Sequence, residues 1–223
     1  MLEKRLLGKS FLNKDIELFS LSFGGHRNVL LLGGVHGDEL EAVYIAERFL
    51  DFNEIKKLNG LLNVYLLPKL NPDGCALKTR QNARDVDLNR NMPTKDWFPE
   101  ALKPKYNPGT FASSEVETNI LINLIEEIKP VCIISFHCYE PMINYNGPCK
   151  RLAEKMSIYN SYKVVSDIGY PTPGSLGTWA GIERNIPVIT LEIERGCGND
   201  IAWNLNKNAI FEGLKFIAEN DEL

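Results

Sequence analysis

The stretch Val29–Leu50, VLLLGGVHGDELEAVYIAERFL, contains the pattern that decides the fold. Its first four residues are all apolar and are followed by Gly33-Gly34, which is typical of a buried strand that enters a tight loop. From Glu39 to Phe52, apolar side chains recur at helical spacing. A buried strand, a glycine turn and a helix in direct succession predict one repeating unit of an α/β fold.

The same alternation continues on both sides of this stretch. Apolar or alternating runs predict strands over Ile16–Phe23, Leu61–Leu67, Val131–Phe136, Lys163–Ser166 and Pro187–Glu194. Helical patterns predict a helix capped by Ser113 or Ser114 that ends near Ile128, and further helices over Leu176–Arg184 and Ile201–Ala218. We therefore expect a three-layer α/β/α fold with a mixed, largely parallel central sheet that helices cover on both faces.

One long segment departs from this alternation. The residues from Asn71 to Phe111 are rich in Pro, Asn and Asp, which predicts mostly loop. An irregular segment of about forty residues is uncommon in a compact domain unless it has a function. Because ligands of such sheets gather beyond the carboxyl ends of the strands, we expect the functional residues there and in this loop.

The composition is that of an ordinary globular protein. The 223 residues are 44% hydrophobic and 24% charged, which predicts a single domain over residues 1–223 and excludes disorder. A net charge of −4 disfavours a nucleic-acid partner, and no apolar run approaches the roughly 20 residues of a membrane span. The first residues lack the apolar core of a secretory signal. We expect a cytoplasmic protein, or a periplasmic one if a signal peptide has been removed.

The five cysteines predict no disulfide framework. Their number is odd and the sequence contains no CxxC pair. Such cysteines are more often reduced and partly buried thiols.

Two histidines and a glutamate are candidate metal ligands. His36 and Glu39 lie three residues apart across the glycine turn, a spacing at which two side chains can converge on one point. His137 ends the apolar strand that begins at Val131. Imidazole and carboxylate groups bind zinc, and three protein ligands leave a fourth position open, as hydrolytic zinc requires. Taken separately, His36 is also typical of a loop histidine, Glu39 of an acid in a first helical turn, and His137 of a hydrogen-bonded histidine at the edge of the core.

The strand near the carboxyl end of the chain contains a candidate catalytic acid. Alternation places Glu192 and Glu194 on the same face, and an acid in so apolar a strand needs a partner or a task. A carboxylate beside an activated water can take its proton and pass it to a leaving amine. The alternation does not choose between the two glutamates, and one of them could instead pair with Arg184 or Arg195.

The long loop contains a second group of polar residues, in Thr79-Arg80 and in Val86–Asn91. Guanidinium groups bind carboxylates through two hydrogen bonds and can stabilise a developing oxyanion. Loop arginines and asparagines are more often simply solvated, so this pattern alone does not assign them a function.

Together these segments resemble the zinc metallocarboxypeptidases, the carboxypeptidase A-like family. The resemblance rests on five segments in the family's order, within about residues 29–195: GGVHGDE, NPDG, TRQNARDVDLNRN, SFH and TLE. It implies a zinc carboxypeptidase-like catalytic domain with one Zn²⁺ per chain. It also implies hydrolysis of an amide bond in a small peptide that carries a free carboxylate.

The resemblance further implies roles for the matching residues. The zinc ligands are His36, Glu39 and His137. Glu192, rather than Glu194, matches the general base and acid, and Arg80 matches the arginine that polarises the scissile carbonyl.

The remaining matches concern the substrate. Asn89 and Arg90 match the pair that holds the substrate carboxylate, and Tyr170 matches the tyrosine that covers the substrate. The segments Gly169–Trp179 and Asn144–Pro148 are most similar to family members that cleave the γ-D-glutamyl–diaminopimelate bond of released murein peptides. Candidate contacts for the second amino-acid centre of diaminopimelate are Glu140, Tyr145 and Asn146. Two places depart from the family pattern, Arg84-Asp85 and Met92–Thr110.

Other functions share part of these features. A deacylase of the aspartoacylase or succinylglutamate desuccinylase type uses the same ligand arrangement, but it usually has an additional C-terminal β-rich region where this sequence predicts a helix. A general C-terminal carboxypeptidase is a second alternative. A binding protein that kept the fold without catalysis is expected to lack Glu192 or Arg80, and both are present. The sequence indicates no oligomeric state.

Overall fold

The computed structural model describes residues 2–22, 24–58, 60–101 and 103–223. The strands are β1 (Leu2–Lys9), β2 (Asp15–Ser22), β3 (Arg27–Leu32), β4 (Leu62–Leu67), β5 (Cys132–Tyr139), β6 (Met142–Asn146), β7 (Lys163–Val165) and β8 (Val188–Glu194). They form one mixed sheet with the order β1-β2-β4-β3-β5-β8-β6-β7. Phe23, the last residue of one predicted strand, lies outside the described residues.

The centre of the sheet is parallel. β3 pairs in parallel with β4 and with β5, and β5 pairs in parallel with β8. β6 and β7 are also parallel to each other, whereas β1–β2, β2–β4 and β6–β8 are antiparallel. The mixed, largely parallel sheet predicted from the sequence is confirmed.

Helices cover both faces of the sheet. They are α1 (Leu40–Arg48), α2 (Pro72–Leu77), α3 (Val116–Ile128), α4 (Lys150–Asn160) and α5 (Asn199–Glu219). Side chains of α1, α4 and α5 belong to one apolar cluster, and those of α3 to a second. Within β3, Val29 and Leu31 join the first cluster while Leu30 and Leu32 join the second, because successive side chains of a strand point to opposite faces. No described helix is both long and apolar enough to cross a membrane.

Several elements differ from the sequence prediction. The predicted loop after Asn71 begins with α2, whose first turn is capped by the Asn71 side chain, which accepts a 2.8 Å hydrogen bond from Gly74 N. Neither serine caps α3. Its N-cap residue is Glu115, without a side-chain bond, and Ser113 lies in the left-handed region at φ +60°. The predicted helix near residue 180 is a π-helical segment, Gly177–Ile182. The sequence patterns did not predict β1, β6 or α4.

Buried asparagines fix the long loop between α2 and α3. Asn82 Nδ2 donates a 2.8 Å hydrogen bond to Glu115 Oε2, and Asn91 Nδ2 donates one of 2.7 Å to the carbonyl of Pro108. The backbone N–H of Met92 donates to the carbonyl of Gly174 at 3.0 Å. The loop is therefore held by bonds within itself and to the start of α3, and by one bond to the segment that contains Gly174.

The turn after β3 packs directly against α2. A Cβ at Gly37 would overlap the backbone of Gly74, so only glycine permits this approach. Gly34 has φ +59°, a conformation that also favours glycine. The two glycines bring His36, which lies between them, to the edge of the sheet beside the long loop.

All five cysteines are free thiols.

Candidate active site

His36, Glu39 and His137 converge at the carboxyl ends of the neighbouring strands β3 and β5. His36 Nδ1 lies 2.9 Å from Glu39 Oε1, and His137 Nδ1 lies 3.0 Å from Glu39 Oε2. The two Nδ1 atoms are 3.2 Å apart. All three side chains are buried, and one possible ligand atom from each lies within 4.8 Å of the others.

The opposite nitrogen of each imidazole is held by a buried oxygen. His36 Nε2 lies 3.1 Å from Asp87 Oδ1, and His137 Nε2 lies 3.0 Å from Ser135 Oγ. An N–H at Nε2 that donates to these oxygens leaves the lone pair of Nδ1 directed at the centre. Two imidazole nitrogens and one carboxylate are a zinc donor set, so these three residues fit the metal. The sequence patterns assigned no role to Asp87 or Ser135.

The carboxylates of this centre are held in their ionised form. Burial alone would raise the pKa of Glu39, but His36 and His137 keep it well below its ordinary value. Burial would likewise raise the pKa of Asp87, and His36 and Arg80 lower it instead. Burial lowers the pKa of His36, but the charges of Glu39 and Asp87 together outweigh this, so the net shift is upward. Two buried negative charges beside two imidazoles suit a divalent cation.

Arg80 is fixed beside the same centre. Its Nε donates a 2.9 Å hydrogen bond to Asp87 Oδ2, and its Nη1 lies 3.6 Å from Glu39 Oε1. Asp87 therefore connects the imidazole of His36 to the guanidinium of Arg80. Arg80 also lines the cavity, so the remaining N–H groups of its guanidinium can donate hydrogen bonds to a ligand there.

A polar cavity of about 510 Å³ opens over the centre. The residues from the sequence prediction that line it are His36, Glu39, Arg80, Asn89, Arg90, His137, Tyr170 and Glu192. The structure thus brings all eight predicted site residues together. Three residues were candidate contacts for the second amino-acid centre of diaminopimelate. Of these, Asn146 is among the described residues that line the cavity, and Glu140 and Tyr145 are not.

Glu192 is placed in the cavity by the register of the sheet. It lies opposite His137 in the parallel ladder between β8 and β5. Burial raises the pKa of Glu192 and the charge of Glu39 adds to this, while His137 opposes it. Glu194, by contrast, is exposed and is not among the residues that line the cavity. The sequence left open a pairing of Arg195 with a glutamate of this strand, but in the structure Arg195 contacts Asp38 and Glu39 instead.

Arg90 is a buried cation with unused hydrogen-bonding capacity. It is 3% exposed, and its Nη1 donates to the carbonyl of Asn89 at 2.6 Å. Its buried Nε has no hydrogen-bond partner among the described residues. Asn89 is held by a 2.9 Å bond that its Oδ1 accepts from Leu176 N. A buried guanidinium on a cavity wall fits an anionic ligand, because such a group is costly without a partner.

Tyr106 is a site residue that the sequence patterns did not reveal. Its ring lies 5.2 Å from Arg80 Cζ and 5.0 Å from Arg90 Cζ, and it stacks on Tyr170 with the ring centres 6.4 Å apart. Tyr106 belongs to the segment Met92–Thr110, one of the two places where the sequence departs from the family pattern. An aromatic residue beside Lys105 in that loop was the only available signal, and it is a weak one.

Comparison with known proteins decides the family. Residues 1–155 match the family model described as zinc carboxypeptidase. The chain belongs to the zinc carboxypeptidase family. The resemblance predicted from the five segments is therefore confirmed, and with it the zinc cofactor and the class of zinc metallopeptidase.

Two curated relatives are similar to this chain over most of its length. The chain is 34% identical over 201 residues to murein peptide amidase A of Vibrio campbellii, with 83% of this chain and 77% of the relative covered. It is 32% identical over 198 residues to murein peptide amidase A of Escherichia coli strain K12, with 83% and 78% covered.

Solved structures show the same fold. The murein-tripeptide amidase of Escherichia coli O157 has a TM-score of 0.74 at 28% identity, with 95% of this chain and 90% of that chain covered. Thrombin activatable fibrinolysis inhibitor has a TM-score of 0.85 at 17% identity, with 99% and 70% covered. The second likeness concerns the fold alone.

Proposed function

We propose that this zinc peptidase hydrolyses the γ-D-glutamyl–diaminopimelate bond of a murein-derived peptide, with residues 1–223 acting as one catalytic domain. The observation that carries the proposal is the buried Arg90 guanidinium, with its unpartnered Nε, in the same cavity as the His36–Glu39–His137 centre. A substrate with a free carboxylate next to the scissile amide satisfies both groups. The names of the two curated relatives support the murein peptide as that substrate.

His36, Glu39 and His137 are the residues that would hold the zinc ion. Bound there, zinc supplies a water of lowered pKa and a positive charge that polarises the scissile carbonyl. Asp87 and Ser135 orient the two imidazoles through their Nε2 atoms.

Glu192 and Arg80 carry the proposed chemistry on the protein side. Glu192 takes the proton of the attacking water and delivers it to the leaving nitrogen, and its raised pKa suits a group that must both accept and donate. Arg80 donates hydrogen bonds to the oxyanion that forms on the carbonyl oxygen. Its bond to Asp87 fixes that geometry before the substrate arrives.

The remaining residues select the substrate. Arg90 and Asn89 hold the carboxylate of the leaving diaminopimelate, and Tyr170 covers it. Asn146 contacts the second amino-acid centre, which is the distal end of that residue. Hydrolysis of released murein peptides in the cytoplasm would serve their recycling, and in the periplasm it would serve remodelling of the wall.

A substrate panel tests the proposal. The zinc-loaded protein is incubated separately with L-Ala-γ-D-Glu-diaminopimelate, with α-linked peptides that end in a free carboxylate, and with N-acyl amino acids. Mass spectrometry should show free diaminopimelate from the first substrate and much slower cleavage of the others. Preferred cleavage of the α-linked peptides would make the protein a general C-terminal carboxypeptidase, and preferred cleavage of N-acyl amino acids would make it a deacylase.

A further inference from the structure

We propose that Arg195 binds the α-carboxylate of the γ-D-glutamyl residue, on the acyl side of the scissile bond. This inference rests on the proposed function and adds a second anion-binding contact to it. It concerns a residue that neither the sequence motifs nor the family resemblance assigned.

The substrate carries a second carboxylate that such a contact would bind. A glutamyl residue linked through its side chain keeps a free α-carboxylate, separated from the scissile carbonyl by two methylene groups and Cα. The substrate therefore brings one anion on each side of the bond that breaks. An α-linked peptide without an acidic side chain at this position has no such carboxylate, so a cation there would favour the γ-glutamyl substrate over it.

Arg195 places a guanidinium beside the proposed metal centre. It follows β8 directly, and its Nη2 lies 3.0 Å from Glu39 Oε1 while its Nη1 lies 3.1 Å from Asp38 Oδ2. Its side chain lines the cavity and is 43% exposed. Arg90 reaches the same cavity from the long loop, so the two arginines approach the substrate from different segments of the wall.

Two arginines, Arg80 and Arg195, lie next to Glu39, and the guanidinium of Arg195 is the freer of the two to bind a substrate carboxylate. Arg80 is bound through its Nε to the fully buried Asp87. The partner of Arg195 outside the metal centre is Asp38, whose side chain is 33% exposed. An exposed ion pair of this kind contributes little, so a substrate carboxylate can replace or share it at small cost.

A buried acid fixes the loop from which Arg195 projects. Glu41 of α1 is 8% exposed, and its Oε1 accepts hydrogen bonds from Gly196 N at 3.0 Å and Gly198 N at 3.3 Å. The backbone N–H of Arg195 donates to the carbonyl of Tyr139 at 3.2 Å. The backbone of this segment is therefore positioned before binding, which lowers the entropy that a carboxylate contact would cost.

A matched pair of substrates tests the inference. One is L-Ala-γ-D-Glu-diaminopimelate, and the other is the same peptide with the glutamyl α-carboxylate converted to a carboxamide. The zinc-loaded wild type should favour the acid by about 10- to 100-fold in kcat/KM, the range expected for one charge-assisted hydrogen-bonded contact. Arg195→Ala should lose this preference because the acid is cleaved more slowly while the amide is cleaved as before, and Arg195→Lys should keep part of it.

Arg151→Ala is the control, because Arg151 is a 57% exposed arginine of α4 that pairs with Glu222 away from the cavity. It should keep the full preference, and zinc content is measured for every variant. Equal cleavage of both peptides by the wild type would overturn the inference and leave the proposed function standing. An equal loss on both peptides in Arg195→Ala would also overturn it, since Arg195 would then be only a counter-ion of Asp38 and Glu39. If the wild type cleaves neither peptide, the proposed function fails and this inference fails with it.

Discussion

Asp87 uses both of its oxygens inside the site. Oδ1 lies 3.1 Å from His36 Nε2 and accepts a 2.9 Å bond from Asn89 N, while Oδ2 accepts from Arg80 Nε. One buried carboxylate thus orients a proposed metal ligand, the proposed oxyanion donor and the backbone of a substrate-binding residue. Its lowered pKa keeps it ionised for all three contacts.

Asp87→Asn should weaken metal binding and catalysis together. An amide accepts through only one oxygen, so its NH₂ group would face either the N–H of His36 or that of Arg80. We expect metal affinity to fall by about 10- to 100-fold, which is typical when a residue hydrogen-bonded to a metal ligand is replaced. We expect kcat to fall by a larger factor, because Arg80 is also displaced. Competition with a chelator measures the affinity. Asp51→Asn, at an exposed position on another part of the surface, is the control, and unchanged affinity in Asp87→Asn would contradict the orienting role of Asp87.

The sequence was informative about single residues where a motif could be matched. It led to His36, Glu39, His137 and Glu192, and the structure places them in one cavity, although their roles stay predictions. Asp87 and Ser135 were quoted within motifs but received no role. For Asp87 the reason is that hydrogen bonding between distant segments cannot be read from local spacing, whereas Ser135 lies only two residues from His137 on the same strand. Asp87 and His36 are 51 residues apart.

The long loop is the element on which the substrate-binding side of the cavity depends. Tyr106 lies in a short 3₁₀ segment, Pro104–Tyr106, and contacts the guanidinium groups of Arg80 and Arg90 with one ring. The ring stacks in turn on Tyr170. A single aromatic side chain therefore holds two proposed functional arginines and the proposed covering tyrosine in place.

Tyr106→Leu should reduce kcat/KM by about 5- to 30-fold, since two cation–π contacts contribute about 0.5–1 kcal/mol each. Tyr106→Phe keeps the ring and should stay near the wild-type value. Steady-state kinetics on the murein tripeptide measure both variants, with Tyr159→Leu on the exposed surface of α4 as the control. If the Phe and Leu variants lose activity equally, the hydroxyl rather than the ring is important and the proposed role of the stacking is wrong.

Strands with long apolar runs were predicted well, and elements with few or interrupted apolar residues were mostly missed. β3, β4 and β8 are largely buried, and their apolar runs identified them. β1 is an edge strand with mostly exposed side chains, so it lacks the apolar run of a central strand. β6 turns polar residues toward the cavity, and α4 buries only Leu152, Ala153, Met156 and Asn160. The polar residues of β6 therefore belong to the cavity wall, and they interrupt the apolar run that would have predicted the strand.

At the scale of the whole molecule, the order of the central strands assembles the site. β5 lies between β3 and β8, and all three are parallel, so their carboxyl ends meet at one edge of the sheet. His36 follows β3, and β5 and β8 contain His137 and Glu192. The sequence predicted a parallel sheet with ligands at this edge, but not the strand order, because long crossover connections leave several orders possible.

The release of diaminopimelate by the wild type and by Glu192→Gln is the decisive measurement for the proposed hydrolysis. Both proteins are loaded with zinc, their metal content is determined, and each is incubated with L-Ala-γ-D-Glu-diaminopimelate before mass spectrometry. We expect one zinc per chain in both proteins, free diaminopimelate from the wild type, and almost none from Glu192→Gln. Normal release by the variant, or no release by the zinc-loaded wild type, would contradict the proposed reaction.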